Sequence, residues 1–229
     1  MNRKNLRSLA AGVALLLAVG ALAGCGGEKK ADDSKKMVTV GIAQLVEHGA
    51  LDAANKGFVA GMASKGFKEN ENVKYDRQNA QADQSNLQNI AQRFVSNKVD
   101  LICAIATPTA QTMANATKDI PIVATAVTDY EVAKLAASNN EPKGNVTGTS
   151  DMNPIDQQLE LLLKIAPQTK NIGTVYSSSE VNSQLQVDVL KKLAGDKGIN
   201  VIEATVSTVN DIQPVSYTHL RAHETRHDL

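Results

Sequence analysis

The chain has 229 residues, with 24 Lys plus Arg set against 24 Asp plus Glu, so no excess of either charge points to nucleic acid or an anionic membrane face as a partner. Aromatic residues make up 3% and Trp is absent, which leaves Ala, Val, Ile and Leu to build the core, as in layered helix-sheet-helix proteins. The two cysteines, Cys25 near the N-terminus and Cys103 inside an apolar run, are not placed to pair, and no disulfide is expected.

The N-terminus reads as a targeting segment. Arg3, Lys4 and Arg7 form a basic start, followed by a short apolar run from Leu9 to Leu22 that is too short for a comfortable membrane span. Leu22-Ala23-Gly24-Cys25 has the form of a bacterial lipobox. It implies a signal peptide over 1–24, cleavage before Cys25, and a lipid on the sulfur and amine of that residue. Residues 25–36, rich in Gly, Lys, Asp and Ser, then form a solvated tether between anchor and domain.

From Met37 onward, short apolar runs alternate with amphipathic ones, which predicts repeated βα units. Met37 to Gln44 is the first strand. Leu51, Ala54, Phe58 and Met62 follow at helical spacing, with Gly66 placed to end that helix. Val73 to Asn79 is a peripheral strand. Leu87, Ile90, Ala91, Phe94 and Val95 form a helical stripe capped by Asp83 or Ser85. Leu101 to Ala106, bounded by Asp100 and Pro108, reads as a central parallel strand. It turns at once into a helix, with Thr107 as N-cap and Pro108 in the first helical position. Ile120 to Val127 is a fourth strand, and right-handed crossovers make all four parallel.

Between Asn139 and Gly148 the composition shifts to Asn, Glu, Pro, Lys and Gly, which is expected of an interdomain crossing. A first lobe then covers 37–148 and a partial second lobe 149–213. In the second, Asn153 and Pro154 open a helix that turns Ile155, Leu159, Leu162 and Leu163 inward and is closed by Pro167. Asn171 to Tyr176 is a strand. Ser177 to Glu180 has capping-box spacing for a helix carrying Leu185, Val189 and Leu193. Val201 to Val206 is the last strand, and Ser207 to Gln213 begins a helix whose pattern breaks off.

The end of the chain has a different character. His219, His223 and His227 are spaced four apart, which on a helix would put them on one face in the manner of a metal clamp. However, the run from Pro214 to Thr225 resembles the translated read-through of a transposase adapter. Residues 214–229 are therefore read as a non-native tail, and no metal site is expected.

Several stretches carry a family resemblance: Gly41 to His48, Gln81 to Asn86, Ile105 to Pro108, Ala126 to Asp129, Gly144 to Gly148 and Tyr176 to Ser183. Together they resemble ABC transporter substrate-binding proteins of the tryptophan/tyrosine (TrpX-like) type, over nearly all of Met37 to Gln213. The resemblance implies an α/β fold of type I periplasmic-binding-protein-like form. Such a fold has two Rossmann-like lobes with parallel sheets, the second incomplete here, that close on a small ligand and deliver it to a membrane permease. Family members continue well past Gln213, and a cleft lacking part of its wall is expected to bind poorly.

Ligand contacts are expected just after strand ends, where the lobes face each other. Gln44 and His48 follow the first strand, although His48 can equally open the first helix. Thr107 and Thr109, with the N–H groups behind Pro108, suit a carboxylate, while the alternative is an ordinary βα turn in which Thr107 caps its own helix. Thr128 and Asp129 follow the fourth strand, and Asp129 can hold an ammonium or cap a short Glu131 to Leu135 helix. From the second lobe come Ser177, Ser178, Ser179 and Asn182, with capping as their rival role. A carboxylate acceptor beside an ammonium acceptor describes an α-amino acid, which agrees with the family implication of an aromatic one, although the residues themselves leave the side chain open because no apolar or aromatic wall is identifiable in the sequence.

The expected function is the extracytoplasmic binding component of an ABC importer, held to the membrane through Cys25, with permease and ATPase subunits as partners and no cofactor. No nucleophile elbow, phosphate loop or HExxH motif suggests an enzyme. A lipoprotein that senses a sugar or other small molecule and signals to a membrane receptor is the alternative, because the fold does not dictate the ligand.

Overall fold

The protein's structure, a computed structural model, describes residues 37–141 and 144–224. The signal segment, Cys25, the tether and His227 lie outside the described residues. The alternating pattern becomes β1 (Val38–Gln44), α1 (Gly49–Ser64), β2 (Val73–Asn79), α2 (Gln84–Ser96), β3 (Leu101–Ile105), α3 (Thr107–Ala116), β4 (Ile122–Val127) and β5 (Val146–Ser150). The five strands form one parallel sheet in the order β2-β1-β3-β4-β5. The inner strand β3 is an unbroken apolar run, and β1 is one from Val40 to Ala43, because helices cover both faces of the sheet there. Phe94 of α2 and Met113 of α3 pack with Ala43, Ile102 and Ala104 on one side. Half-buried Leu51, Phe58 and Met62 of α1 pack on Val40, Ile42, Cys103 and Ile105 on the other.

Local chemistry fixes the helix ends. Asp83 Oδ1 accepts the Asn86 N–H at 2.8 Å and so caps α2. Gly66, at φ +89°, lets the chain leave α1. Gly41 sits where a Cβ would stand 2.7 Å from the Phe94 ring, so a bare backbone on β1 is what admits that ring to the core.

Several sequence expectations are corrected. The helix after β3 begins one residue early: Ala106 is the N-cap at φ 88°, no side chain caps the helix, and Thr107 is already its first residue. The fourth strand starts at Ile122 rather than Ile120, because Thr117 Oγ1 accepts the Asp119 and Ile120 N–H groups in a turn. Residues 131–135 form turns rather than a helix. The 139–148 stretch is not only a crossing, since it delivers β5, which pairs with β4 and extends the first sheet to Ser150.

The second lobe comprises α4 (Ile155–Ile165), β6 (Asn171–Ser177), α5 (Val181–Gly195), β7 (Asn200–Val206), a 3-10 turn at Val209–Asp211 and α6 (Ile212–Glu224). β6 and β7 pair in parallel over seven residues each, and Leu159, Ala194 and Ile199 centre their core. Pro154, not Asn153, is the N-cap of α4, and the Asn153 side chain reaches across to Gln186 Oε1 at 3.1 Å instead. The helix expected to break off near Gln213 continues to Glu224, with Pro214 in its first turn, where a missing N–H costs little.

One ionic cluster ties α5 to this sheet. Tyr176 Oη donates to Glu203 Oε2 at 2.8 Å, and Lys191 Nζ donates to Glu203 Oε1. Lys191 first, and Tyr176 second, hold the Glu203 carboxyl below its usual range. A carboxylate whose folded pKa is depressed contributes stability above its unfolded pKa, and loses that contribution as pH falls through the folded value. Glu203→Gln is therefore expected to melt below the native protein at about pH 7, with the gap closing as pH falls through the folded value of the Glu203 carboxyl, read by thermal denaturation across pH.

Candidate functional site

In a sheet of this order the chain switches direction between β1 and β3, and ligands collect beyond the carboxyl ends of the strands at that point. Strain collects there too: Gln81 (φ 56°), Ala82 (58°) and Ala106 (88°) take left-handed backbone in the loops at the ends of β2 and β3, and Ala126 (55°) does so inside β4, where its register with β5 shifts. The β2 loop is pinned to β1 by the Ala80 N–H on Gln44 O at 2.9 Å and the Ala82 N–H on Leu45 O at 2.8 Å.

Facing this rim across a cleft of about 920 Å³ are the ends of β6 and β7. The first lobe contributes Leu45, Gln81, Ala82, Asp83, Gln84, Leu87 and Pro108. The second contributes Val175, Tyr176, Ser177, Ser179, Glu180, Val206, Ser207, Thr208, Asn210 and Ile212. Leu45, Leu87, Val175, Tyr176, Val206 and Ile212 supply the apolar wall that the sequence left unidentified. Asp83 and Glu180 are the charged groups, one from each lobe, and no Lys, Arg or His stands among the described lining residues. A second groove of about 540 Å³ lies between α2 and α3 on the flank of the first lobe and takes no residue from the second.

Of the residues singled out in the sequence, Ser177 and Ser179 stand on the cleft, their hydroxyl oxygens 2.9 Å apart. The expected capping box is not formed: β6 runs through Ser177, and Glu180 precedes α5 without a side-chain cap. The Ser178 N–H meets Val206 O at 3.3 Å. Asn182 donates to Glu180 Oε2 at 3.3 Å and leaves its own Oδ1 buried without a partner. Thr107 and Thr109 flank Pro108, 2% and 0% exposed, and both hydroxyls lack a partner.

The remaining candidates are bonded into the fold. Gln44 donates to Asp52 Oδ1 at 2.6 Å and Val46 O at 2.9 Å, and accepts from Asn55 at 3.2 Å, so it acts as a strut between β1 and α1. His48 Nδ1 accepts the Ala50 N–H at 3.3 Å as the N-cap of α1, the alternative role weighed for it. The Thr128 carbonyl accepts from Ser150 Oγ at 2.7 Å. Asp129 accepts from the Val132 N–H and Asn139 Nδ2, both at 2.8 Å, and closes its own loop.

Sequence reasoning missed Gln81, Asp83, Gln84, Tyr176, Glu180, Thr208 and Asn210 as cleft residues. The first five lie inside stretches that carried the family resemblance, which was the available signal. Among the described residues, no group of three or more His, Cys, Asp or Glu is arranged to hold a metal ion. Burial pushes the Cys103 thiol up to about 12, so it stays neutral in the core.

A family model described as ABC transporter substrate binding protein matches residues 39–223. The chain belongs to that family. It is 48% identical over 219 residues to a tyrosine-binding protein of Clostridioides difficile (strain R20291), covering 92% of this chain and 63% of that protein. It is similar to an ABC domain from Streptococcus pneumonia solved in complex with L-Trp, at 42% identity and TM-score 0.75, over 78% of this chain and 60% of that one. A ligand-free, open substrate binding protein with adhesive properties from Clostridium difficile is 50% identical, with TM-score 0.60, over 79% of this chain and 61% of that one. This family member thus spans less than two thirds of each relative's length. Its fold is the type I periplasmic-binding-protein-like α/β architecture.

Proposed function

We propose that this family member is the extracytoplasmic binding component of an ABC importer, anchored through lipidated Cys25, that takes an aromatic amino acid into the interlobe cleft and passes it to permease and ATPase subunits. It carries out no turnover. The observation that carries this reading is the cleft itself: apolar side chains from both lobes behind polar rims, at the carboxyl ends of parallel strands. That lining suits a ligand with a flat apolar body and a polar head. The head of α3 reaches the cleft through Pro108, with the buried, partnerless hydroxyls of Thr107 and Thr109 on either side of it in sequence, and the proposal puts the ligand's carboxylate there, opposite Ser177 and Ser179 of the facing lobe.

The relatives support the choice of ligand. One is named for tyrosine and another holds L-Trp. The chain also superposes better on the tryptophan complex than on the open, ligand-free protein, although it is more identical to the latter.

The test is a thermal-shift screen of the complete reading frame from Gly26 against the twenty amino acids, common sugars and purines. Tyrosine and tryptophan at about a hundred times Kd are expected to add roughly 2.7 kcal/mol of stability. A shift with a sugar or purine alone, or with nothing at millimolar concentration, would overturn the reading.

A further inference from the structure

The second-lobe rim is weakly held by its own backbone. The Ser177 to Glu180 turn has no side-chain cap at the head of α5, and its Ser178 N–H meets Val206 O, and its Glu180 N–H meets Ser177 O, at a long 3.3 Å each. We infer that the Tyr176 hydroxyl, with Gln184 and Glu203 behind it, positions this turn for the ligand's carboxylate. That role rests on the cleft being the ligand site proposed above.

Tyr176 lies just before the turn, and Gln184 lies after it in the first turn of α5. The Tyr176 hydroxyl stands 3.0 Å from Gln184 Oε1 and 2.8 Å from Glu203 Oε2. One proton shared between two acceptors therefore ties the two ends of the turn to each other and to β7. Both acceptors are themselves fixed. Gln184 Nε2 donates to Asp188 Oδ1 at 3.0 Å, which sets the way its amide faces, and Lys191 Nζ donates to the other oxygen of Glu203. The hydrogen bond to Glu203 also pushes the Tyr176 phenol above its usual range, so the bridging proton stays in place.

Gln184 and Glu203 are not among the described lining residues of the cleft, so their route to the ligand runs through the turn. Ser177 and Ser179, with hydroxyl oxygens 2.9 Å apart, can serve one carboxylate only while the turn keeps both on the same side. Hydrogen bonds behind a site are what hold such a pair to within about half an ångström. A shift of about 1 Å costs up to roughly a hundredfold.

The experiment is isothermal titration of the complete reading frame, native and variant, with L-tyrosine and with L-tyrosinamide, whose neutral amide replaces the carboxylate. Tyr176→Phe keeps the ring and removes only the hydroxyl. It is expected to weaken tyrosine by about tenfold and tyrosinamide by less than about threefold. Gln184→Leu, which leaves both strands untouched, should act in the same direction. Glu203→Leu is expected to weaken tyrosine likewise, and Glu203→Gln to recover most of that loss, because its amide oxygen still accepts from the hydroxyl although the pairing with Lys191 is gone. A merely structural role would lower both ligands alike and track the melting temperature. That result, or native affinity for tyrosine in Tyr176→Phe, overturns the inference and leaves the site standing. If the native protein binds neither tyrosine nor tryptophan, the proposed function itself falls, and this inference with it.

Discussion

Gly148→Ala is expected to destabilise the first lobe by about 3 kcal/mol or more, at the upper end of what a single methyl can do. Its Cβ would stand 1.9 Å from the Ala124 carbonyl oxygen and 2.2 Å from Tyr130 Oη. The first of these is backbone of β4, the strand that β5 pairs with, so it cannot swing aside as a side chain would. The second is a buried phenol that shares its proton between Ala124 O at 3.0 Å and Thr149 O at 3.2 Å. Burial, and then the charge of Asp151, push that phenol up to about 12, so it stays a donor at every ordinary pH. The methyl would part β5 from β4 and strand a buried donor together, and each loss is costly alone. Chemical denaturation measures it, with Gly57→Ala as the contrast. Gly57 lies in α1 with nothing within 4 Å of its added Cβ, so that change should gain roughly 0.5–1 kcal/mol.

The second large effect separates folding from binding. Thr107→Val is expected to raise the melting temperature while weakening tyrosine binding by about tenfold or more. Thr107 is 2% exposed with a hydroxyl that meets no partner, at the first residue of α3 behind an Ala106 held at φ 88°. A buried hydroxyl without a partner costs about 1–3 kcal/mol, and Val removes that cost while filling nearly the same space. A position that lowers stability in the empty protein and recovers it when a carboxylate arrives is how binding sites hold strain. Thr109→Val, equally buried and partnerless, should behave alike. A variant that lost stability and kept affinity would assign both hydroxyls to the fold alone.

The sheet was legible because buried parallel strands are uninterrupted apolar runs, as in Leu101 to Ile105, and because the Leu87, Ile90, Ala91 and Phe94 stripe has one helical period. β5 was missed for the opposite reason. Val146 to Ser150 is an edge strand with one buried residue, Val146, followed by four exposed ones, so no periodicity marks it. Site residues were harder to find, because a polar side chain after a strand can face the ligand or finish the fold, and sequence does not distinguish the two. His48 and Asp129 were spent on local backbone donors, and Gln44 on α1. Asp83 was read only as a cap, yet it caps α2 and lines the cleft at once. Tyr176, read as a strand end, joins the cleft wall one residue before β6 ends at Ser177.

The central claim is that a zwitterion with an aromatic side chain lies between the α3 head and the Ser177 to Ser179 turn. A crystal structure of the complete reading frame grown with L-tyrosine addresses it directly. The account predicts ligand density in that cleft, with the ring against Leu45, Leu87 or Tyr176 and the carboxylate within hydrogen-bond reach of Thr107 or Ser177. Density for tyrosine elsewhere on the protein, or an empty cleft at millimolar ligand, would contradict it.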